Sequence, residues 1–174
     1  MQRIYVKPLG RRCFAMDALP DSIFNKPMLA LLEPAFKSMP CAASPILKEE
    51  IASFIKRTRE FEGYIIHYPT FSNLQQAKVR FADRTEFECA CNEIYMELRS
   101  LERIGETILS MLCELEGALR EKYRQHIFQV IISVELDEYP SIRAWFHQVR
   151  PAETYFSTHV EDYPEPTLYK IIHT

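Results

Sequence analysis

Histidine and cysteine are the residue types here most able to do chemistry, and the chain has five of each. Cys89 and Cys91 form a C-x-C pair. On a helix two such thiols point about 200° apart, so they cannot share a metal ion. Redox pairs and zinc knuckles use C-x-x-C, which the chain lacks. With Cys13, Cys41 and Cys113 the set is odd in number and unevenly spread. That pattern predicts reduced thiols serving as small hydrophobes rather than a disulfide framework. His67, His126, His147, His159 and His173 all fall in or beside strand-like sequence. If residues 142–149 and 153–160 pair as strands, His147 and His159 share a face, with Glu161 and Asp162 near. That is the arrangement acid–base catalysis or a two-histidine metal site would need. No H-x-H, H-x-x-x-H or H-E-x-x-H spacing supports it, and no G-x-S-x-G elbow is present. With only four glycines, no phosphate-cradling loop can be drawn either. The sequence therefore assigns no catalytic residue, no metal ligand and no cofactor.

Charge gives the more informative asymmetry. The net charge is −3, yet residues 1–84 hold 13 Lys and Arg against 8 Asp and Glu, while residues 135–174 hold 3 against 7. The acidic side chains between Glu135 and Glu165 are interleaved with Tyr139, Trp145, Phe146, Tyr155, Phe156 and Tyr163. Carboxylates repel nucleic acid, and carboxylates beside aromatics suit a basic protein surface. The expected partner-binding residues are Asp137, Glu138, Tyr139, Trp145, Glu161, Asp162, Tyr163 and Glu165. The basic cluster Lys56, Arg57, Arg59 ends a predicted helix, where it complements the helix dipole without any nucleic acid.

These residues need a frame. At 174 residues, 47% hydrophobic and 26% charged, the chain is read as a single domain over 1–174 with a core of its own. No apolar run approaches the ~20 residues that cross a bilayer, and Met1–Leu9 has no signal-peptide core. The expected location is cytoplasmic, without a membrane. Alternation predicts strands over 1–7 and 12–16, then over 64–68 and 77–82 as a pair. Four prolines limit 19–43 to one short helical piece near 27–32. Ser44-Pro45 opens a helix over about 45–62, closed by Gly63. Ile127–Leu136 is the strongest strand and is expected to be central. Strands at 142–149, 153–160 and 168–173 complete a meander.

The dominant feature is a predicted amphipathic helix over about 85–124. Thr85 and Glu88 match a capping box. Phe87, Cys91, Ile94, Leu98, Leu101, Gly105, Ile108, Leu112, Leu115 and Leu119 then recur at intervals of four and three. Such a helix would be roughly 60 Å long, against a domain diameter on the order of 35 Å. Either it breaks near Gly105 or its stripe finds a partner, and the unbroken helix in a homodimer is the expectation. The fold class is α+β, an antiparallel sheet packed against this helix and the 45–62 helix. The functional expectation is a protein-binding inhibitor or immunity-type protein that blocks a basic partner such as a nuclease. A small enzyme built on His147, His159 and Glu161, or a dimeric chaperone or adaptor, is the alternative.

Overall fold

The computed structural model describes residues 19, 21–37, 44–68, 81–153 and 159–174. The strands predicted at 1–7 and 12–16 lie outside these residues, as do most of 77–82 and of 153–160. Helices α1 (Lys26–Lys37), α2 (Pro45–Arg57), α3 (Arg84–Cys91) and α4 (Ile104–Lys122) combine with strands β1 (Ser22–Phe24), β2 (Thr58–Phe61), β3 (Tyr64–His67), β4 (Glu93–Glu97), β5 (Ile127–Glu135), β6 (Ser141–Gln148) and β7 (Thr167–His173). Five strands form one antiparallel sheet in the order β1-β7-β5-β6-β4, while β2 and β3 form a separate hairpin. The class is α+β, and β5 is central.

β5 alternates as its sequence dictates. Phe128, Val130, Ile132 and Val134 are fully buried on the helix-facing side, joined by Ile142, Ala144 and Phe146 of β6 and Leu168 and Ile172 of β7. Met28 and Leu32 of α1, Ile51 and Ile55 of α2, and Ile108, Leu112, Leu115 and Leu119 of α4 close over that face as one core. The other face carries a smaller cluster of Ile131, Val160 and Tyr169, with Trp145, Tyr163, Ile23 and Ile171 packed against it. Lys170 lies on the helix side and pairs with Glu116 at 2.6 Å, so a buried cation is matched by α4.

The long helix of the sequence reading is replaced by helix, strand and helix. α3 ends at Cys91, Glu93–Glu97 pairs with β6, and α4 starts only at Ile104. Glu93-Ile94-Tyr95-Met96-Glu97 alternates exposed and half-buried, so Ile94 satisfies a period of two as well as the helical one. Arg103 at φ 63° takes the left-handed turn into α4, whose 19 residues span roughly 28 Å and fit the domain. The seam positions of α4 are buried by the chain's own sheet and helices.

Three further boundaries differ. α2 stops at Arg57 instead of reaching 62, because Thr58–Phe61 folds back on Tyr64–His67. Lys122 Nζ gathers the carbonyls of Ile55, Lys56 and Thr58, capping the C-terminus of α2 from α4. Thr58 Oγ1 donates to Ile55 O at 2.6 Å, so the Tyr123 hydroxyl 2.7 Å away must be the donor in that contact. α1 runs through Pro34 for 12 residues, longer than its prolines predicted. Pro34 and Ala30 are both exposed, so the carbonyl that proline leaves without a donor faces water. Finally, residues 160–162 form a 3-10 turn rather than the end of a strand.

Candidate functional site

Two groupings emerge from this frame. The first belongs to α3. Asp83 caps the helix by accepting from Glu86 N at 2.8 Å, and Glu86 reaches back to Ala82 N at 2.6 Å. The capping box thus sits two residues earlier than Thr85–Glu88, and those two side chains are free to turn inward. Thr85, Glu88 and Asn92, at spacings of three and four, are each fully buried on one face. Glu88 Oε1 accepts from Ile65 N at 2.6 Å and Arg150 Nη2 at 2.6 Å. Its Oε2 accepts from Gln148 N at 2.7 Å and Arg150 Nη1 at 3.0 Å. Asn92 accepts from His67 N at 2.8 Å and donates to Ile65 O and Phe146 O. Thr85 donates its backbone N–H and its hydroxyl to Glu153. Arg150 also reaches Gly63 O and Gln148 Oε1.

Glu88 and Asn92 thereby satisfy backbone groups of β3 on one side and of β6 on the other. They act as a stand-in for a strand between the hairpin and the sheet. Burial pushes the Glu88 carboxyl above its ordinary value, while Arg150 and the two backbone N–H groups pull it back. Both oxygens are occupied by donors, so this carboxylate holds structure rather than substrate. Beside it, burial first and Glu88 second push Cys91 up to about 12, and Cys89 is raised by the same causes. Neither thiol is poised as a nucleophile.

His147 is buried on β6, and its Nδ1 lies 2.8 Å from Gln148 O. A carbonyl only accepts, so Nδ1 carries the proton. The carboxylates whose field reaches His147 are Asp83 and Glu153, whereas the sequence reading set Glu161 and Asp162 beside it. His159 is exposed at the start of the 3-10 turn. His67 stacks on Phe54 with ring centroids 4.0 Å apart, at the wall of an open groove of about 470 Å³ beside α2. Among the described residues no three His, Cys, Asp or Glu side chains converge as metal ligands.

Burial holds both His67 and His147 below the ordinary 6.5, with Arg57 adding to the effect at His67 and Arg150 at His147. The sign follows from which state takes the proton first. The unfolded chain protonates near 6.5, so the contribution is whole above that pH and is lost as pH falls below it. Glu88 acts in the opposite sense. Thermal unfolding from pH 7.5 to 5.5, compared between the parent chain and His147→Gln, isolates the histidine. The expected result is a shallower fall in midpoint for the variant, and parallel curves would contradict it.

The second grouping is the acidic one. In the strand registers, Glu135, Ser141, Glu97 and Thr167 lie at one end of the sheet. The turn bearing Asp137, Glu138 and Tyr139 closes that end, with Leu98 N bonded to Pro140 O. Asn25, at the end of β1, holds the other segment there by donating to Tyr163 O at 3.1 Å and Glu165 O at 2.7 Å. Glu161 Oε2 accepts from Lys26 N. The fold therefore brings Asp137, Glu138, Tyr139, Glu161, Asp162 and Glu165 to one end of the sheet, all exposed. Trp145 and Tyr163 are half-buried in the cluster around Ile131, so their rings pack within the fold. Sequence reasoning named Tyr139 but missed Glu97 and the other exposed apolar side chains at this end, Tyr95, Leu101 and Leu136. Glu97, Tyr95 and Leu101 sit in the segment placed there only by the helix-to-strand change.

A family model described as the Uncharacterized protein PM0498 family matches residues 24–173. This chain belongs to that family. No curated protein matches it, and no solved structure does. The region shared with the PM0498 family runs from the last residue of β1 to the last of β7. It includes both the buried network around Glu88 and the acidic end of the sheet. Among the described residues, no helix is long and apolar enough to cross a membrane.

Proposed function

We propose that this protein is a cytoplasmic, immunity-type inhibitor that docks the acidic end of its sheet on a basic protein partner such as a nuclease. One observation carries the reading. Acids from three separate chain segments (Glu97, the 137–138 turn and Glu161–Glu165) gather at one end, interspersed with solvent-facing Tyr95, Leu101, Leu136 and Tyr139. Tyr139 is 67% exposed in that turn, a position where packing gives an aromatic ring no return. Exposed rings among carboxylates fit the composition of binding hot spots. A nuclease cleft is basic because it holds phosphates, and a rim of carboxylates can occupy the same field.

The charges here are exposed, so they govern encounter rate and salt dependence more than they govern depth of binding. Wild-type bait and an Asp137→Lys/Glu138→Lys bait, each immobilised and exposed to cell extract at low and high ionic strength, test the reading. A basic protein held by the wild type at low salt, and lost both with salt and on charge reversal, is the expected result. An equimolar amount of the chain should then block that protein's activity. Identical retention profiles for the two baits would remove the proposal.

A further inference from the structure

We infer that the edge of β4 is a strand-addition site for an extended partner segment in which basic and apolar residues alternate. This rests on the acidic-end reading above and says how the partner would be held. β4 is an outer strand of the sheet, paired only with β6 among the described strands. Antiparallel pairs alternate between hydrogen-bonded and non-bonded positions. Leu98 N donates to Pro140 O, which sets the phase. Met96 and Ile94 are then the bonded positions opposite Ile142 and Ala144, while Glu93, Tyr95 and Glu97 turn their backbone groups away from β6. The β5–β6 ladder agrees. Val149 N bonds to Ile127 O, which commits the backbone of Arg143 and Trp145 to β5. The outward row on β4 is thus three residues, each exposed to solvent.

The side chains name the occupant. Glu93, Tyr95 and Glu97 lie on the face away from the helices, and Ile94 and Met96 pack toward the core while remaining half-exposed. Arg143 is shared between Glu93 at 3.5 Å and Glu135 at 3.3 Å, so one cation answers two carboxylates and Glu97 adds a third. A strand laid beside β4 would place alternate residues against carboxylates on one face and against Ile94 and Met96 on the other. Lys or Arg alternating with Val, Ile or Leu satisfies both. A second copy of this chain does not. The full antiparallel register of β4 on itself sets Glu93 opposite Glu97 twice over, and like charges directly opposed are destabilising. Edge strands are commonly guarded against self-pairing in this way, and the guard here leaves an oppositely charged strand admissible.

The probe is a capped nonapeptide alternating Lys and Val. It is compared with the same peptide N-methylated along one edge and with a scrambled peptide of equal charge, by fluorescence anisotropy and amide exchange. Expected are protection of the Glu93, Tyr95 and Glu97 amides on binding, and at least tenfold weaker binding of the N-methylated peptide. Tyr95→Pro, which removes an outward N–H and no β6 bond, should weaken binding at least tenfold beyond Tyr95→Ala, which removes only the ring. Equal affinity of the methylated or scrambled peptide would overturn strand addition while leaving the acidic surface intact. Failure of every peptide to bind at low salt would also overturn it. The partner reading itself is decided separately, by the 137–138 reversal.

Discussion

Arg150→Met is expected to destabilise the fold by about 3–5 kcal/mol, because it strips the cation from a carboxylate that has no water to turn to. Glu88 is fully buried, and Arg150 supplies two of the four donors on its oxygens while also binding Gly63 O and Gln148 Oε1. For a chain of this length such a loss corresponds to a drop in unfolding midpoint on the order of 10 °C. Glu88→Met leaves the guanidinium half-buried and the N–H groups of Ile65 and Gln148 without their acceptor, so its cost should be similar. The double variant should cost clearly less than the sum of the two, since each single change already breaks the same pair. Urea unfolding of the parent, both singles and the double closes the cycle. A loss below about 1 kcal/mol for Arg150→Met would show that the pair does not hold the hairpin to the sheet. Amide exchange gives the local signature: Ile65 and His67, whose N–H groups end on Glu88 and Asn92, should open before the central strand does.

That network also shows where the sequence could be read and where it could not. Three of the sheet's five strands, β5, β6 and β7, were legible from alternating apolar residues. Phe128, Val130, Ile132 and Val134 point one way, as do Ile142, Ala144 and Phe146 and then Leu168 and Ile172. By contrast, β1 and β4 were not read as strands. Pro45 behind Ser44 marked the start of α2 for reasons local to that turn. The segment 85–124 misled for a physical reason. Ile94 and Leu98 lie at positions common to a helical stripe and a strand, so the apolar pattern ran through a boundary without a break. The better signals were polar. Strict alternation over Glu93-Ile94-Tyr95-Met96-Glu97 argues for a strand, and Thr85, Glu88 and Asn92 form a second, in-phase stripe along the same helix. Polar residues at helical spacing are ordinarily a solvated face. What makes these a buried one is the arrival of β3, β6 and Arg150, and no local pattern encodes that. The acidic end was half legible in the same sense: composition named the acids, and only the strand registers set Glu97 beside them.

Gly105 carries the other large effect. The sequence offered it as the place where a long helix would break. The break falls just ahead of it, between Glu97 and Ile104, and another backbone comes close to it. A Cβ at Gly105 would lie 2.3 Å from Leu31 O and 3.2 Å from Ala35 Cβ. The first obstacle is backbone inside α1, so it cannot rotate aside as a side chain would. Gly105→Ala is therefore expected to force α1 off α4 and to destabilise by roughly 1–3 kcal/mol or more, against the usual gain from replacing a helical glycine. Gly117 lies in the same helix, exposed, with open space where its Cβ would stand. Gly117→Ala should stabilise by about 0.5–1 kcal/mol through helix propensity alone. One substitution at two positions of one helix thus predicts opposite signs, and thermal unfolding of the two variants beside the parent reads both. If Gly105→Ala raised the midpoint as Gly117→Ala does, α1 would not be seated on α4 at this point. The wall of the core formed by Met28 and Leu32 would then have to be drawn differently.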